Sequence, residues 1–235
     1  MPIPPPMTSW RCSSPEKMPG STHAEIEAQI AAGAEALGQP IAVANVAQLS
    51  RLIGELGRWN VRINLTAIRN PADMVAGHIL DSLAVRPLLE GRRVLDIGTG
   101  AGFPGLPLAI TEAAREFVLL DSNARKISFV RHAIGLLGLQ NAVAVEARAE
   151  DYAPGDGFDT VIARALASTQ KLLDLAGHLL AKDGVLLALK GKHPAAELEE
   201  IRDLPGWKYK VLQLTVPGIE TRERHVVCLR KADKL

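Results

Sequence analysis

Cysteine is scarce in this sequence: Cys12 and Cys228 are its two cysteines, and they lie near opposite ends of 235 residues. With no CxxC pattern, they provide neither a disulfide framework nor a cysteine-based zinc site, and no metal is expected. The sequence also lacks an apolar run long enough to span a membrane. Prolines crowd the first six positions, where a secretory signal needs an apolar helix. We therefore expect a cytoplasmic protein.

An excess of charge of one sign is also absent. The 27 lysines and arginines nearly balance the 26 acidic residues, and the net charge is +1. No global basic field therefore indicates a nucleic-acid partner. The 47% hydrophobic and 23% charged residues are ordinary for a globular protein with a real core. The length suits one α/β domain with a small extension.

The chain changes character twice along its length. Residues 1–22 mix proline, serine, methionine and glycine without periodicity, which predicts a disordered tail. Apolar residues then recur at three- and four-residue spacing, first from Ala24 and again over Val43–Asn60. A third helix is predicted to begin after Pro71 and to continue through Leu88. Residues 23–90 are thus predicted to form a helical extension that has no core of its own.

From residue 91 onward, short apolar runs alternate with helical segments. This alternation predicts a doubly wound α/β fold with a mostly parallel sheet and helices on both faces. Two last strands without an intervening helix must pair antiparallel. Seven strands with the last one reversed predict the common methyltransferase fold over residues 91–235. The predicted strands are Arg93–Ile97, Phe117–Asp121, Ala142–Glu146, Thr160–Ala163, Val185–Lys190, Tyr209–Val216 and His225–Arg230, and the predicted helices are Leu106–Thr111, Ala124–Leu137, Thr169–Leu180 and Ala195–Ile201.

A glycine-rich loop follows the first predicted strand, and it reads Asp96-Ile97-Gly98-Thr99-Gly100-Ala101-Gly102. Ligands of doubly wound sheets bind at this edge, and glycines let the backbone approach them closely. A dinucleotide would place its pyrophosphate beside the Asp96 carboxylate, whereas S-adenosylmethionine carries a sulfonium and an ammonium that suit an acidic loop. Pro104 and Pro107 also remove backbone donors that a phosphate would use. The loop therefore favours S-adenosylmethionine.

Acidic residues also follow the second and third predicted strands. Asp121 ends the second strand, where a carboxylate can accept the ribose hydroxyls of an adenosine in either class of cofactor. Ala149 and Glu150 follow the third strand, where they can meet the adenine edge. Alternatively, Glu150 and Asp151 form an ordinary helix cap.

The fourth predicted strand points at the reacting group. It lacks both the Asn/Asp-Pro-Pro-aromatic cluster that orients an exocyclic amine and a cysteine for covalent attack on a pyrimidine. An acceptor that is already nucleophilic, such as guanine N7, fits this strand because it needs positioning and no dedicated base. Arg164 ends the strand, where it can orient the cofactor or hold phosphate, or form an ion pair with Asp96 or Asp121. Lys190 ends the fifth strand, as a phosphate contact or a solvated lysine.

These features resemble the bacterial small-subunit ribosomal RNA guanine-N7 methyltransferases, also called the glucose-inhibited division protein B family. The resemblance covers roughly residues 43–231. The motifs that carry it are Trp59-Asn60, Asn64-Leu65-Thr66-Ala67-Ile68, His78-Ile79-Leu80-Asp81-Ser82, Asp96 through Gly105 with Phe103-Pro104-Gly105, Asp121-Ser122, Arg125-Lys126, Phe129, Arg164-Ala165, Leu189-Lys190-Gly191 and Glu223-Arg224-His225.

The resemblance implies methylation of N7 of one guanosine in 16S rRNA, within the small ribosomal subunit or its precursor. We expect the enzyme to be a monomer. With the loop residues above, the predicted cofactor contacts are Asp96, Gly98, Gly100, Phe103, Asp121, Ala149, Glu150 and Arg164. Arg164 and Asn64 are predicted to position the reactants. The predicted RNA contacts are Lys190, Arg222, Arg224, His225, Arg125 and Lys126. The resemblance also places Asn60, His78 and Asp81 on the cleft. Asn60 and Asn64, one helical turn apart, can face it together, or they can serve capping and turn formation instead. His78 and Asp81 can alternatively form a polar pair three positions apart on one helix.

Three other functions stay open on the residues alone. The same sheet can carry a nicotinamide-dependent oxidoreductase, although Asp96 and the displaced glycine fingerprint speak against it. A small-molecule methyltransferase and a non-catalytic RNA-binding scaffold share the fold, and fold does not fix function.

Overall fold

The computed structural model describes residues 22–232, and the following fold is that of these residues. Seven strands form one sheet in the order β3-β2-β1-β4-β5-β7-β6. Strands β1 to β5 run parallel, whereas β7 runs antiparallel to both of its neighbours. The predicted doubly wound sheet with a reversed last strand is confirmed. The strands are β1 Arg93–Ile97, β2 Glu116–Asp121, β3 Ala142–Glu146, β4 Phe158–Arg164, β5 Leu180–Lys190, β6 Trp207–Leu214 and β7 Arg224–Lys231.

Two long helices precede the sheet, α1 His23–Ala36 and α2 Val43–Asn60. Thr22 begins α1 through a capping box, because its hydroxyl accepts from the Glu25 amide while the Glu25 carboxylate accepts from the Thr22 amide. The predicted tail otherwise lies outside the described residues. Apolar residues of α1 and α2 form one continuous core cluster with residues of β1 and β2. The helices therefore share the core of the sheet.

The segment after Pro71 differs from the single helix that was predicted. It consists of α3 Pro71–Met74, a π-helical stretch Val75–Leu80, α4 Asp81–Leu83 and a 3₁₀ turn Arg86–Leu88. In a π-helical stretch each backbone hydrogen bond spans one residue more than in an α-helix. The side chains that follow it are therefore rotated, while the apolar spacing in the sequence still resembles that of an α-helix. Pro87 and the 3₁₀ turn then end the helical run.

Four further helices flank the sheet, and they are α5 Gly105–Thr111, α6 Ala124–Leu137, α7 Thr169–Ala176 and α8 Ala195–Ile201. The α7 helix ends earlier than the predicted Leu180, because a 3₁₀ turn takes over at Gly177–Leu179. No helix among residues 22–232 is long and apolar enough to cross a membrane.

The order of strands positions the site. Strand β1 lies between β2 and β4, so the connections that leave β1 and β4 run to opposite sides of the sheet. A crevice opens at the carboxyl ends of the strands where this reversal occurs. The glycine loop after β1 lies at that edge, beside the ends of β2 and β4.

Candidate cofactor and acceptor cavities

The glycine loop is held in place by Asp121 at the end of β2. One oxygen of this carboxylate accepts from the Gly100 amide at 2.9 Å and the other from the Asn123 amide at 2.8 Å. Gly98 and Gly100 have φ angles of +64° and +61°, in the left-handed region that glycine adopts without steric cost. A Cβ at Gly98 would approach a Leu166 methyl to 2.9 Å. The loop thus requires glycine.

Asp96 lies beneath the loop, where its side chain is buried. Its Oδ2 accepts from the Thr99 hydroxyl at 2.6 Å and from the Gly105 amide at 2.8 Å. Its Oδ1 is buried and has no hydrogen-bond partner within residues 22–232. Burial raises the pKa of Asp96 to about 6, although the bonds from Thr99 and Gly105 oppose this rise. Asp96 therefore braces the loop from below.

A cavity of about 480 Å³ lies above this loop, and we term it the cofactor cavity. Two acidic side chains, Asp121 and Glu150, line it together with apolar groups that include Ile97, Leu120 and Leu166. Carboxylates can accept ribose hydroxyls, and apolar walls can enclose a base. These acceptors and apolar walls fit an adenosine group, and the cations Lys126, Arg148, Arg164 and Lys171 complete the lining.

The predicted cofactor contacts divide into two groups. Gly98, Asp121, Ala149, Glu150 and Arg164 line the cofactor cavity, and their contact with a cofactor stays a prediction. The remaining three, Asp96, Gly100 and Phe103, lie outside its lining. Asp96 supports the loop from below, and Gly100 is a residue of the loop whose amide donates to Asp121. Phe103 is buried instead, and its ring stacks on His78 with centroids 4.6 Å apart.

A second cavity of about 380 Å³ adjoins the first, and we term it the acceptor cavity. Arg164 and Ala165 line both cavities, so the end of β4 is their common wall. Ala165 has a φ angle of +51°, which a residue with a Cβ adopts only at an energetic cost. The backbone is therefore strained at the point where the two cavities meet.

Asp81 joins two arginines at the acceptor cavity. Its Oδ1 accepts from Nε of Arg224 at 2.6 Å, and its Oδ2 accepts from Arg164 at 3.4 Å. The ion pair of Arg164 is therefore made with Asp81, and the alternative pairing with Asp96 or Asp121 was wrong. The reason is the fold, since α4 brings Asp81 across the end of the sheet. These contacts also fix both guanidinium groups on one wall.

His78 lies on the same wall and is neutral. Burial, followed by the nearby positive charge of Arg164, lowers the pKa of His78 to about 4. Its Nε2 lies 2.8 Å from the Thr66 hydroxyl, and the ring is packed against Phe103. The possible polar pair of His78 with Asp81 on one helix is not formed, because each bonds to another segment.

Lys190 does not present a free charge for phosphate, contrary to the prediction. Its Nζ donates to Glu197 at 2.7 Å and to the carbonyl of Ala167 at 2.9 Å. The side chain is 12% exposed. Lys190 and the buried His225 nevertheless line the acceptor cavity. Their role is therefore in the wall of the cavity.

Two other predicted RNA contacts, Arg125 and Lys126, line a smaller cavity of about 250 Å³, which we term the basic cavity. Arg62, Asn64, Arg125 and Lys126 line it, and Lys126 also lines the cofactor cavity. Asn64 lines this cavity whereas Arg164 lines the other two, and the positioning role of each stays a prediction. Arg222 is exposed and lies outside the linings of these three cavities.

Asn60 and Asn64 do not share one helix face, and the alternative of turn formation is confirmed for Asn60. Helix α2 ends at Asn60, and Asn64 lies in the turn beyond it. The Asn60 side chain accepts from the amides of Leu65 and Thr66 and donates to the Thr66 carbonyl. Asn60 is therefore a buried residue that builds this turn.

Comparisons with known proteins decide the family. A family model described as rRNA small subunit methyltransferase G matches residues 45–227. The chain belongs to this family. A ribosomal RNA small subunit methyltransferase G from Idiomarina loihiensis is 48% identical over 80% of this chain and 90% of its own length. The protein of the same description from Methylococcus capsulatus is 50% identical over 78% of this chain and 88% of its own length. The resemblance inferred from the motifs is confirmed.

Solved methyltransferase structures share the fold of this family member. A putative O-methyltransferase from Klebsiella pneumoniae aligns with a TM-score of 0.57 at 16% identity, over 89% of this chain and 99% of the other. An O-methyltransferase from Bacillus cereus, in complex with SAH, aligns with a TM-score of 0.55 at 17% identity, over 77% and 91%. At such identity the likeness shows the fold alone.

The sequence alone did not indicate two kinds of residue at these cavities. Leu166 and Lys171 line the cofactor cavity, although only Arg164 and Ala165 of this region were singled out. Leu166 is 42% exposed, which is unusual for a leucine beside a core strand. Glu197, the partner of Lys190, gave no signal in the sequence because it lies among other glutamates on α8.

Proposed function

We propose that this rRNA methyltransferase transfers the methyl group of S-adenosylmethionine to N7 of one guanosine in 16S rRNA, acting as a monomer on the small ribosomal subunit or its precursor in the cytoplasm. The observation that carries the proposal is the common wall of the two cavities. Arg164 and Ala165 line both, so a cofactor in one and a base in the other meet at the end of β4.

The cofactor cavity supports the choice of S-adenosylmethionine, which supplies a methyl group activated by a sulfonium. Asp121 places a carboxylate at the end of β2, where an adenosine ribose can donate its hydroxyls. Leu120 and Leu166 offer apolar surface for the adenine. The carboxylate of the buried Asp96 beneath the loop repels a pyrophosphate, whereas it attracts a cationic cofactor.

The acceptor cavity supports a nucleophile that needs no deprotonation. Asp81 is bonded to two arginines, Lys190 to Glu197, and His78 to Thr66. His225 is buried in the same wall, and Nδ1 of each histidine is buried without a hydrogen-bond partner within residues 22–232. N7 of guanine has a free lone pair at neutral pH. The N7–carbon bond forms as the carbon–sulfur bond breaks, the electron pair stays on sulfur, and the positive charge passes to the guanine. No proton leaves, so positioning the two reactants is sufficient.

The N-terminal helices take part in this site. We assign residues 91–235 to the methyltransferase domain and residues 23–90 to an extension that contributes one wall of the acceptor cavity. His78 and Asp81 belong to that extension. Arg222 before β7, and Arg125 and Lys126 beside the basic cavity, are cations that can meet RNA phosphates. Arg224, the first residue of β7, is paired with Asp81 and can contact the RNA from the wall of the acceptor cavity.

Transfer of labelled methyl groups tests the proposal. Small subunits and their extracted rRNA, from cells that lack the gene, are incubated with labelled S-adenosylmethionine and the enzyme. After nuclease digestion, chromatography of the nucleosides is expected to show label in 7-methylguanosine. The Arg164→Ala variant serves as the control, because it removes the side chain that both cavities share.

Three results would contradict the proposal, and each favours a different function. Turnover of free metabolites without transfer to RNA indicates a small-molecule methyltransferase. RNA binding with no methyl transfer from a bound cofactor indicates a scaffold. Stabilisation by NADH and not by S-adenosylmethionine, in a thermal-shift assay, indicates an oxidoreductase.

A further inference from the structure

Glu197 lies on α8, outside the linings of both the cofactor and the acceptor cavity, yet it accepts three hydrogen bonds beside them. Its Oε2 accepts from the Thr169 amide at 2.6 Å, from the Thr169 hydroxyl at 2.7 Å and from Nζ of Lys190 at 2.7 Å. Its side chain is 29% exposed. One carboxylate thus joins the end of β5 to the first residue of α7.

The two partners of Glu197, Lys190 and Thr169, lie beside the common wall of the cavities. Nζ of Lys190 also donates to the Ala167 carbonyl at 2.9 Å, and Ala165, Leu166 and Ala167 line the cofactor cavity. Thr169 begins α7, which contributes further lining through Lys171. Glu197 therefore holds Thr169 directly and Ala167 through Lys190, in the segment 165–169 that begins at the common wall of the two cavities.

The segment needs such support because its backbone is strained. The left-handed conformation of Ala165 persists only where surrounding contacts outweigh its cost. The bonds to Lys190 and Thr169 are charge-assisted, and such bonds are stronger than neutral ones. Burial raises the pKa of Glu197, but the bonds from Lys190 and Thr169 outweigh this and leave the pKa below its ordinary value. Glu197 is thus ionised at neutral pH.

We propose that Glu197 is a positioning residue for methyl transfer, which acts through Lys190 and Thr169 to fix the wall between the cofactor and acceptor cavities. The inference rests on the proposed function, since it assigns the two cavities to the two reactants. It also gives Lys190 a role other than phosphate binding, because the lysine links the Glu197 carboxylate to the carbonyl of Ala167.

Two substitutions separate the charge of this arrangement from its hydrogen bonds. In Glu197→Gln, the amide oxygen at the place of Oε2 can still accept from Thr169 and Lys190, but the negative charge is lost and the bonds become weaker. In Glu197→Ala, the acceptor itself is lost. Glu199→Gln is the matched control, because Glu199 lies on the same helix in an exposed ion pair with Arg202 and away from both cavities.

Calorimetry with S-adenosylmethionine is expected to give the order wild type, Glu197→Gln, Glu197→Ala. The Gln variant should bind about threefold and the Ala variant about tenfold more weakly, as expected for first weakening and then losing the charge-assisted bonds. In rRNA methylation, both should lower kcat at saturating cofactor, because the wall also sets the distance between the reactants. Glu199→Gln should match the wild type in both measurements.

Melting temperatures and the folded fraction, measured for each variant, separate this role from a merely structural one. Lower melting temperatures with wild-type cofactor affinity and wild-type kcat per folded enzyme would overturn the inference. Calorimetry requires no RNA, so the role of Glu197 can be tested independently of the proposed function. If the wild type methylates no rRNA, the proposed function fails, while the order of cofactor affinities still tests the support of the wall.

Discussion

Replacing Asp96 by asparagine removes one buried charge and preserves the shape of the side chain. The amide oxygen can take over the two bonds that Oδ2 accepts from Thr99 and Gly105. The amide nitrogen then occupies the position of Oδ1, which is buried without a hydrogen-bond partner in the described part of the chain. The variant therefore exchanges a buried charge for a buried neutral donor.

The difference in stability between the two proteins is expected to depend on pH. Burial raises the pKa of Asp96 from 3.8 to about 6. Between these values the folded state holds a proton that the unfolded state has released, so the free energy of unfolding falls as the pH rises. Across this window the wild type should lose about 3 kcal/mol relative to Asp96→Asn. The loss is complete above the folded-state pKa.

Urea denaturation of the cofactor-free proteins at several pH values between 4 and 7.5 measures this difference. The asparagine variant should be at least as stable as the wild type near pH 7.5 and should lose this advantage as the pH falls to 4. Other groups titrate in both proteins and cancel in the difference. Parallel stability curves across the whole range would refute the assignment of a raised pKa to Asp96.

Three further variants test other parts of the site. Asp121→Ala should weaken S-adenosylmethionine binding more than tenfold, on the order of one lost charged hydrogen bond, because a ribose acceptor and the bond to the Gly100 amide both disappear; unchanged affinity in calorimetry sinks that role. Arg224→Ala should impair rRNA methylation and preserve cofactor affinity, since Arg224 lines only the acceptor cavity; a collapse of cofactor affinity contradicts this. Burial lowers the pKa of His78 from 6.5 to about 4, so the wild type should lose stability relative to His78→Gln as the pH falls through this window, by about 3 kcal/mol in chemical denaturation. Equal acid sensitivity of the two proteins contradicts a neutral His78.

Local periodicity predicted most of the fold. Helix α2 and strand β1 have the predicted bounds because apolar spacing and chain turns coincide at their ends. The start of β5 at Leu180 preceded the predicted Val185, since exposed Lys182 and Asp183 interrupt the apolar pattern while the backbone stays extended. The π-helical stretch near His78 was not predictable in this way, because it keeps a helix-like apolar pattern.

The candidate site was predictable only where strand ends determine it. Parallel strands bring their carboxyl ends to one edge, so the positions of Asp121 and Arg164 followed from the order of the strands. The pairing of Asp81 with Arg224 joins residues 143 positions apart, and no local pattern encodes it. The ion pair between Lys190 and Glu197 likewise depends on how α8 packs beside β5. Side-chain partners of this kind require the three-dimensional structure.

The most direct test of the central claim is chemical mapping of the methylated atom in the RNA. Methylation at N7 gives guanine a positive charge, which permits reduction of the ring by borohydride and strand scission by aniline. Small subunits from cells that lack the gene are incubated with the enzyme and S-adenosylmethionine, and their rRNA is then treated in this way. We predict one new break, at a single guanosine of the 16S rRNA, that requires both enzyme and cofactor. Methyl incorporation into the rRNA without any such break would place the methyl group on another atom and contradict the account.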